Sequence, residues 1–190
     1  EIFPPGGRIP DSTNVVNVVA IQRGTADPNR MVIMSGDIDS RISRGTNAAD
    51  SAPGANDNAS GMAGTIEAAR VLSRYAFNAS IVYLGLSGEE QGLYGGGTVA
   101  RYARAHGWNI QAVLNNDMIG NIEGISGVVD NTTARVFSDG TPPVDVALRE
   151  LAGDGLSEAA RDTGVVELPA REFAQILGLL SSRRRTGGEV

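Results

Sequence analysis

The acidic residues most able to do chemistry in this chain lie in three short segments. The segments cover residues 51–61, 88–92 and 115–120. Each is expected where a strand ends or a helix begins, and in an α/β protein such positions meet in one crevice at the carboxyl edge of the sheet. Carboxylates brought together there repel one another unless a cation neutralises them. The spacing therefore predicts a site for divalent metal ions, and the matching chemistry is hydrolysis by metal-activated water.

Each of these acids also has an ordinary structural explanation. Asp57 directly precedes a predicted helix, where an aspartate is a routine N-cap, although its small neighbours would let a ligand approach closely. Glu89 and Glu90 would stand near a helix N-terminus, where the dipole favours acids, and Asp117 suits a turn. Adjacent glutamates repel each other, however. Two neighbours can instead divide the work, one binding metal while the other takes a proton from water.

Two further acids follow the second predicted strand. Asp37 and Asp39 are separated by one residue, so their side chains share a side of the strand if it continues that far. With them, acids stand at the ends of three predicted strands and at the start of one helix. Singly each acid is a weak signal, but their coincidence favours a common site.

Alternating strands and helices are predicted to position these acids. The predicted strands cover residues 15–21, 31–34, 79–86 and 110–114, with a short fifth at 127–130, and the helices cover about 60–75 and 93–105. The apolar face of the first helix is predicted to consist mainly of Met62, Ile66, Ala69 and Leu72. Residues 40–55 lack periodicity and predict a long loop. This order is typical of βαβ units and a largely parallel sheet.

The two ends of the chain differ from this middle part. Residues 1–13 are rich in Pro, Gly and polar groups and predict an arm or linker. In residues 139–190, the segments 144–151 and 173–180 suit helices. The arginines at 183–185 suit a basic last turn, and a solvated helix end is favoured over a site for an acidic partner.

Composition narrows the class of protein. The 190 residues suit one domain with a core, and no apolar run approaches the length of a membrane span. A net charge of −6 argues against nucleic acid as a partner, because phosphate binding needs a basic surface. With no cysteine, thiolate metal sites and disulfides are excluded. The start at Glu1 indicates a mature or trimmed product whose signal peptide would not be visible.

These blocks, in this order, resemble the M28 family of metallopeptidases, the co-catalytic zinc aminopeptidases and their relatives. The resemblance covers about residues 14–138 and is carried by segments 31–40, 52–61, 88–94 and 114–120. It implies a three-layer α/β/α sandwich around a largely parallel mixed sheet, with two Zn²⁺ ions near the strand ends. It also implies a peptide substrate and a secreted or periplasmic location, and relative to the family the C-terminal part is expected to be truncated or diverged.

The resemblance also implies roles for the acids. Asp57 would bridge both metals, Glu90 would bind one and Asp117 the other. Glu89 would be the general base. Asp37 stands where the family has a histidine ligand, with Asp39 orienting it from two residues further on. An aspartate in place of a neutral imidazole adds negative charge and shifts the preference toward harder divalent ions.

The histidine that completes the second metal site in the family lies beyond the matching stretch. The only histidine here, His106, is predicted at the far end of a helix and on the surface. Three hypotheses stay open: a metal-dependent, aminopeptidase-like hydrolase, a catalytically inactive M28-like binding or interaction domain, and a damaged or truncated reading frame. Metal content and aminopeptidase turnover separate the first from the others.

Overall fold

A four-stranded mixed sheet organises the computed structural model, which describes residues 1–42, 49–123, 127 and 129 and the backbone of two later strands. The elements in chain order are β1 (Ile2–Phe3), β2 (Thr13–Asn14), β3 (Val18–Gln22), β4 (Asp27–Asp37), α1 (Ala59–Leu72), β5 (Ala79–Leu86), α2 (Tyr94–Ala105), β6 (Asn109–Asn115), β7 (Thr133–Phe137) and β8 (Val165–Pro169). Strands β1 and β2 pair with each other, as do β7 and β8, both antiparallel.

The main sheet has the strand order β3, β5, β4, β6. Strand β4 is parallel to both β5 and β6, whereas β3 runs antiparallel to β5. Because β4, β5 and β6 point the same way, their carboxyl ends open onto one edge. The residues that follow these three strands are therefore neighbours in space.

The two helices cover opposite faces of this sheet. On one face, the buried side chains of Ile33, Val82 and Leu84 pack with Val99 of α2. On the other face, α1 approaches so closely that a Cβ added at Gly36 would lie 2.9 Å from the carbonyl carbon of Gly61. Residues 33 and 36 point to opposite sides of β4, because successive side chains of a strand alternate. The expected three-layer α/β/α sandwich around a mixed, largely parallel sheet is confirmed.

The predicted elements agree with the observed ones in kind and differ at their ends. Strand β5 has the predicted bounds, because its continuous apolar run is buried almost throughout. Strand β4 is longer than predicted, since it pairs with a parallel neighbour on each side. Strand β3 begins later, at Val18. Of the short strand predicted at 127–130 the structure describes residues 127 and 129, and Val129 forms an isolated bridge to Glu123.

The predicted apolar face of α1 is wrong at Ile66, whose side chain is 62% exposed. The residues that α1 buries are Gly61 and Thr65. The physical reason is the tight approach at Gly36, which leaves room for small side chains but not for a layer of large ones. The helix also ends at Leu72, three residues earlier than predicted.

The N-terminal segment packs on the domain. The ring of Phe3 lies 4.4 Å from the ring of Tyr94 at the start of α2. Ile9 and Val15 are buried, and the Arg8 guanidinium donates to the carbonyl oxygen of Glu90 at 2.8 Å. This segment therefore forms part of the wall beside the loop that follows β5.

Other predictions fall outside the part of the chain that the structure describes. These are the helices at 144–151 and 173–180, the basic run at 183–185 and the middle of the loop at 40–55. Among the described residues, no helix combines the length and the apolar character that a membrane crossing requires.

Candidate metal centre

Six carboxylates line one cavity of about 210 Å³ at the carboxyl edge of the sheet. They are the six acids predicted from the sequence, namely Asp37, Asp39, Asp57, Glu89, Glu90 and Asp117. The amide of Asn58 and the side chain of Met118 complete the lining. The structure thus brings together residues from four separate segments of the chain.

The topology explains this convergence. Asp37 is the last residue of β4, and Asp117 follows the end of the parallel neighbour β6 by two residues. Glu89 and Glu90 follow β5 through a turn at Gly88, whose φ of +75° suits glycine. Asp57 comes immediately before Asn58, the N-cap of α1. One edge of a parallel sheet and one helix start are sufficient to assemble the cavity.

Asp39 fixes the loop that carries the two glutamates. Its carboxylate accepts hydrogen bonds from the backbone N–H groups of Glu89 at 3.1 Å and Glu90 at 3.2 Å. Asp39 also lies close enough to Asp37 to raise the pKa of that carboxyl. The described hydrogen bonds of Asp39 thus go to the loop after β5, and its predicted role of orienting Asp37 stays a prediction.

A buried pair of asparagines joins α1 to the segment after β6. Asn58 is 3% exposed, and its side-chain oxygen accepts from the N–H of Gly61 at 3.1 Å and from the N–H of Met118 at 3.2 Å. Its side-chain nitrogen donates to the carbonyl oxygen of Asn116 at 2.9 Å. The Asn116 amide in turn donates to the Thr65 hydroxyl at 3.0 Å. The structure thus has Asn58, and not its neighbour Asp57, as the N-cap of α1.

Concentrated negative charge perturbs three of the carboxyl groups. Burial raises the pKa of Asp37, and the nearby carboxylates of Asp39 and Asp117 raise it further. Burial is also the largest cause that raises the pKa of Glu89, followed by the charge of Glu90. The pKa of Asp117 is raised by burial and then by Asp57 and Glu90. These three groups therefore hold protons more tightly than isolated carboxylates do. A divalent cation would neutralise the same negative charge.

An arginine approaches this acidic cluster from the loop after β4. The Nε of Arg41 donates to a carboxylate oxygen of Glu90 in a short ion pair. The Arg41 side chain is 42% exposed and the Glu90 side chain only 11%. No pattern in the sequence pointed to Arg41, because its approach depends on the path of an irregular loop.

The side chains that line the cavity suit a divalent cation, because they offer oxygen atoms and negative charge. All six side chains offer carboxylate oxygens, which hard divalent ions prefer. Within the described ranges, no three carboxylate, histidine or cysteine side chains are grouped tightly enough to hold one ion as they stand. His106 lies at the C-terminal end of α2, exposed and stacked on the ring of Tyr102 at 3.8 Å, so its predicted surface position is confirmed.

Two solved structures share the fold. LapB from Legionella pneumophila superposes with a TM-score of 0.55 at 22% identity, over 80% of this chain and 38% of that chain. An aminopeptidase from Aneurinibacillus sp. strain AM-1 gives a TM-score of 0.53 at 23% identity, over 81% of this chain and 39% of its own. At these identities the likeness concerns the fold alone.

Sequence comparison gives a closer relationship. A probable zinc metalloprotease of Pyrenophora teres f. teres is 36% identical over 96% of this chain and 37% of its own length. Another of Pyricularia oryzae is 39% identical over 100% of this chain and 38% of its own length. The chain thus spans about two fifths of the length of these relatives.

The family model of peptidase family M28 matches residues 17–152. This match begins close to the start of the predicted resemblance and extends past its predicted end at residue 138. It covers well over half of the chain, in agreement with the relatives and with the fold. This chain belongs to peptidase family M28.

Proposed function

We propose that this chain carries the acidic part of the active site of a metal-dependent, aminopeptidase-like hydrolase of peptide bonds. The observation that carries the proposal is the convergence of six carboxylates from four segments on one cavity. Membership of family M28 supports the peptidase class and a peptide substrate. The narrower aminopeptidase assignment rests on the resemblance of the sequence blocks to the co-catalytic zinc aminopeptidases.

In this proposal four carboxylates hold a dinuclear centre. Asp57 would be shared by both ions, and Asp37, Glu90 and Asp117 would be the remaining ligands. The names of the curated relatives support zinc, whereas the all-oxygen donor set also suits harder divalent ions. When bound, such a cation acts as a Lewis acid on the scissile carbonyl and lowers the pKa of water.

Glu89 is the general base. It takes a proton from the attacking water and gives it to the leaving amine. In the absence of metal, burial first and then the charge of Glu90 raise the pKa of Glu89. Asp39 supports this role, because its carboxylate holds the Glu89 N–H at 3.1 Å and so fixes the backbone of the base.

A catalytically inactive binding domain is the second candidate. It is favoured by the ion pair of Arg41 with Glu90, which supplies a protein cation to one proposed ligand. Asp37, in the position of a histidine ligand, also departs from the family pattern. In such a domain the cavity would have weak affinity for metal ions and no turnover.

Glu89→Gln separates the two candidates. We expect this variant to bind divalent ions like the unaltered protein but to hydrolyse amino-acid p-nitroanilides about 10²–10⁴-fold more slowly, since it has lost the proton acceptor. Turnover is measured with Zn²⁺ and with Mn²⁺, and metal uptake by calorimetry. The matched control is Glu67→Gln, which neutralises an exposed glutamate of α1 outside the cavity.

Equal rates in Glu89→Gln and the control would reject Glu89 as the base. Absence of turnover in the unaltered protein, with metal bound, would favour the inactive domain instead.

A further inference from the structure

Asn58 is the side chain through which α1 is tied to the segment after β6. Its amide makes three hydrogen bonds to main-chain groups, one within the first turn of α1 and two to residues 116 and 118. An N-cap needs only the first of these bonds. The other two span 58 and 60 residues of sequence, so they serve the arrangement of two distant segments.

The surrounding packing leaves little freedom at this junction. A Cβ added at Gly61 would lie 2.1 Å from the carbonyl oxygen of Asn116 and 2.3 Å from the side-chain oxygen of Asn58. The Asn116 amide is itself held by the Thr65 hydroxyl one helical turn further along α1. Asn58 and Asn116 are both buried, at 3% and 7% exposure. The junction is therefore closely packed and shielded from water.

Each asparagine adjoins a carboxylate of the cavity. Asp57 immediately precedes Asn58, and Asp117 immediately follows Asn116. The two carboxylates are close enough for the charge of Asp57 to act on Asp117. They repel each other, and the asparagine link opposes this repulsion by holding their backbones together.

We propose that Asn58 is a positioning residue whose amide sets the separation of Asp57 and Asp117, and with it the affinity of this pair for a divalent cation. The inference rests on the proposed function, because it assumes that these two carboxylates bind an ion. It extends that function by assigning control of the metal site to the neutral amide of Asn58 in the lining of the cavity.

Asn58→Ser distinguishes positioning from plain helix capping. Serine is an N-cap about as good as asparagine, but it is too short to keep the bonds to residues 116 and 118. We expect a clear fall in melting temperature, because two main-chain groups at residues 116 and 118 lose their hydrogen-bond partner. We also expect a loss of about 10–100-fold in affinity for Zn²⁺ and Mn²⁺, the range usual for groups that orient metal ligands. Asn58→Ala, which removes the cap as well, should lose the same affinity and melt lower still.

Ser80→Ala is the matched control at the opposite end of β5. The buried Ser80 hydroxyl donates to the carbonyl of Pro28 at 2.7 Å and accepts from the N–H of Gly24 at 3.0 Å. Its removal should lower the melting temperature without changing metal affinity. Calorimetric titration and thermal melts are measured on all four proteins, so that affinity is compared at known stability.

Unchanged affinity in Asn58→Ser would overturn the inference, as would an equal loss of affinity in Ser80→Ala. If the unaltered protein binds neither ion, the proposed function fails and the inference fails with it. Binding by the unaltered protein with normal affinity in Asn58→Ser rejects the inference alone.

Discussion

Glu90 is contacted by two arginines at the edge of the acidic cavity. Arg8 holds its carbonyl oxygen, and Arg41 holds its carboxylate. The first contact fixes the backbone and leaves the carboxylate available. In the proposed centre the second contact would occupy an oxygen that a metal ion needs, so Arg41 and a divalent cation would compete for the same carboxylate.

Arg41→Gln should therefore tighten the binding of divalent ions. Partly exposed ion pairs are worth about 0.2–1 kcal/mol, so the expected gain in affinity is up to about fivefold. Calorimetric titration with Zn²⁺ measures it. Arg101→Gln is the control, since Arg101 pairs with Glu1 at 2.8 Å on the surface of α2. Weaker binding in Arg41→Gln than in this control would show that Arg41 supports the site instead of competing for it.

At the scale of elements, the close packing of the start of α1 requires glycine, which has no side chain. Gly61 faces the carbonyl oxygen of Asn116, while Gly36 of β4 faces Gly61. These two contacts bring the helix start, the end of β4 and the end of β6 to one place. Asp57, Asp37 and Asp117 are carried by the same three ends.

Gly61→Ala should destabilise the protein and weaken the site. The added Cβ would meet backbone at 2.1 Å, and overpacking of this kind costs about 1–3 kcal/mol of unfolding free energy. Thermal melts and metal titration measure both effects.

Gly96→Ala in α2 is the control, because a Cβ there would meet only the Leu86 side chain, at 3.9 Å. We expect that variant to gain roughly 0.5–1 kcal/mol from helix propensity. If the two glycine variants melt alike, the close approach at Gly61 is not required.

The secondary-structure elements and the six acids of the cavity could be predicted from the sequence. The contacts that hold these acids in place could not. Strand β5 was predicted with its observed bounds, because a buried parallel strand is a continuous apolar run. The helical periodicity of the sequence predicted that Ile66 is buried, because such a pattern assigns large apolar residues to the core. In the structure Ile66 is exposed, and the residues that α1 buries are Gly61 and Thr65. The contacts of Asn58 and Arg41 were not predicted, since they depend on the paths of loops distant in sequence.

At the scale of the whole molecule, the burial of carboxyl groups in the cavity, together with their mutual repulsion, links stability to pH. Asp37, Glu89 and Asp117 have raised pKa values, with burial as the largest cause in each. A carboxyl with a higher pKa in the folded than in the unfolded chain binds more protons when folded. Folding stability therefore falls as the pH rises from the unfolded value through the folded one.

With a chelator present, we therefore expect the protein to melt at a higher temperature at about pH 5 than at about pH 7. Asp37→Asn removes the most buried of these charges, so it should raise the melting temperature at the higher pH and reduce the difference between the two. Thermal melts at both values measure this. A melting temperature that rises with pH equally in both proteins would contradict this electrostatic description.

Every role proposed for the clustered carboxylates requires that they bind divalent metal ions together. Calorimetric titration of Zn²⁺ into the protein, Asp57→Asn and the control Glu67→Gln tests it directly. We predict two ions per chain for the unaltered protein and the control. Groups that only orient metal ligands typically contribute about 10–100-fold in affinity. Asp57→Asn should lose more than this. Equal affinity in all three proteins would contradict the account.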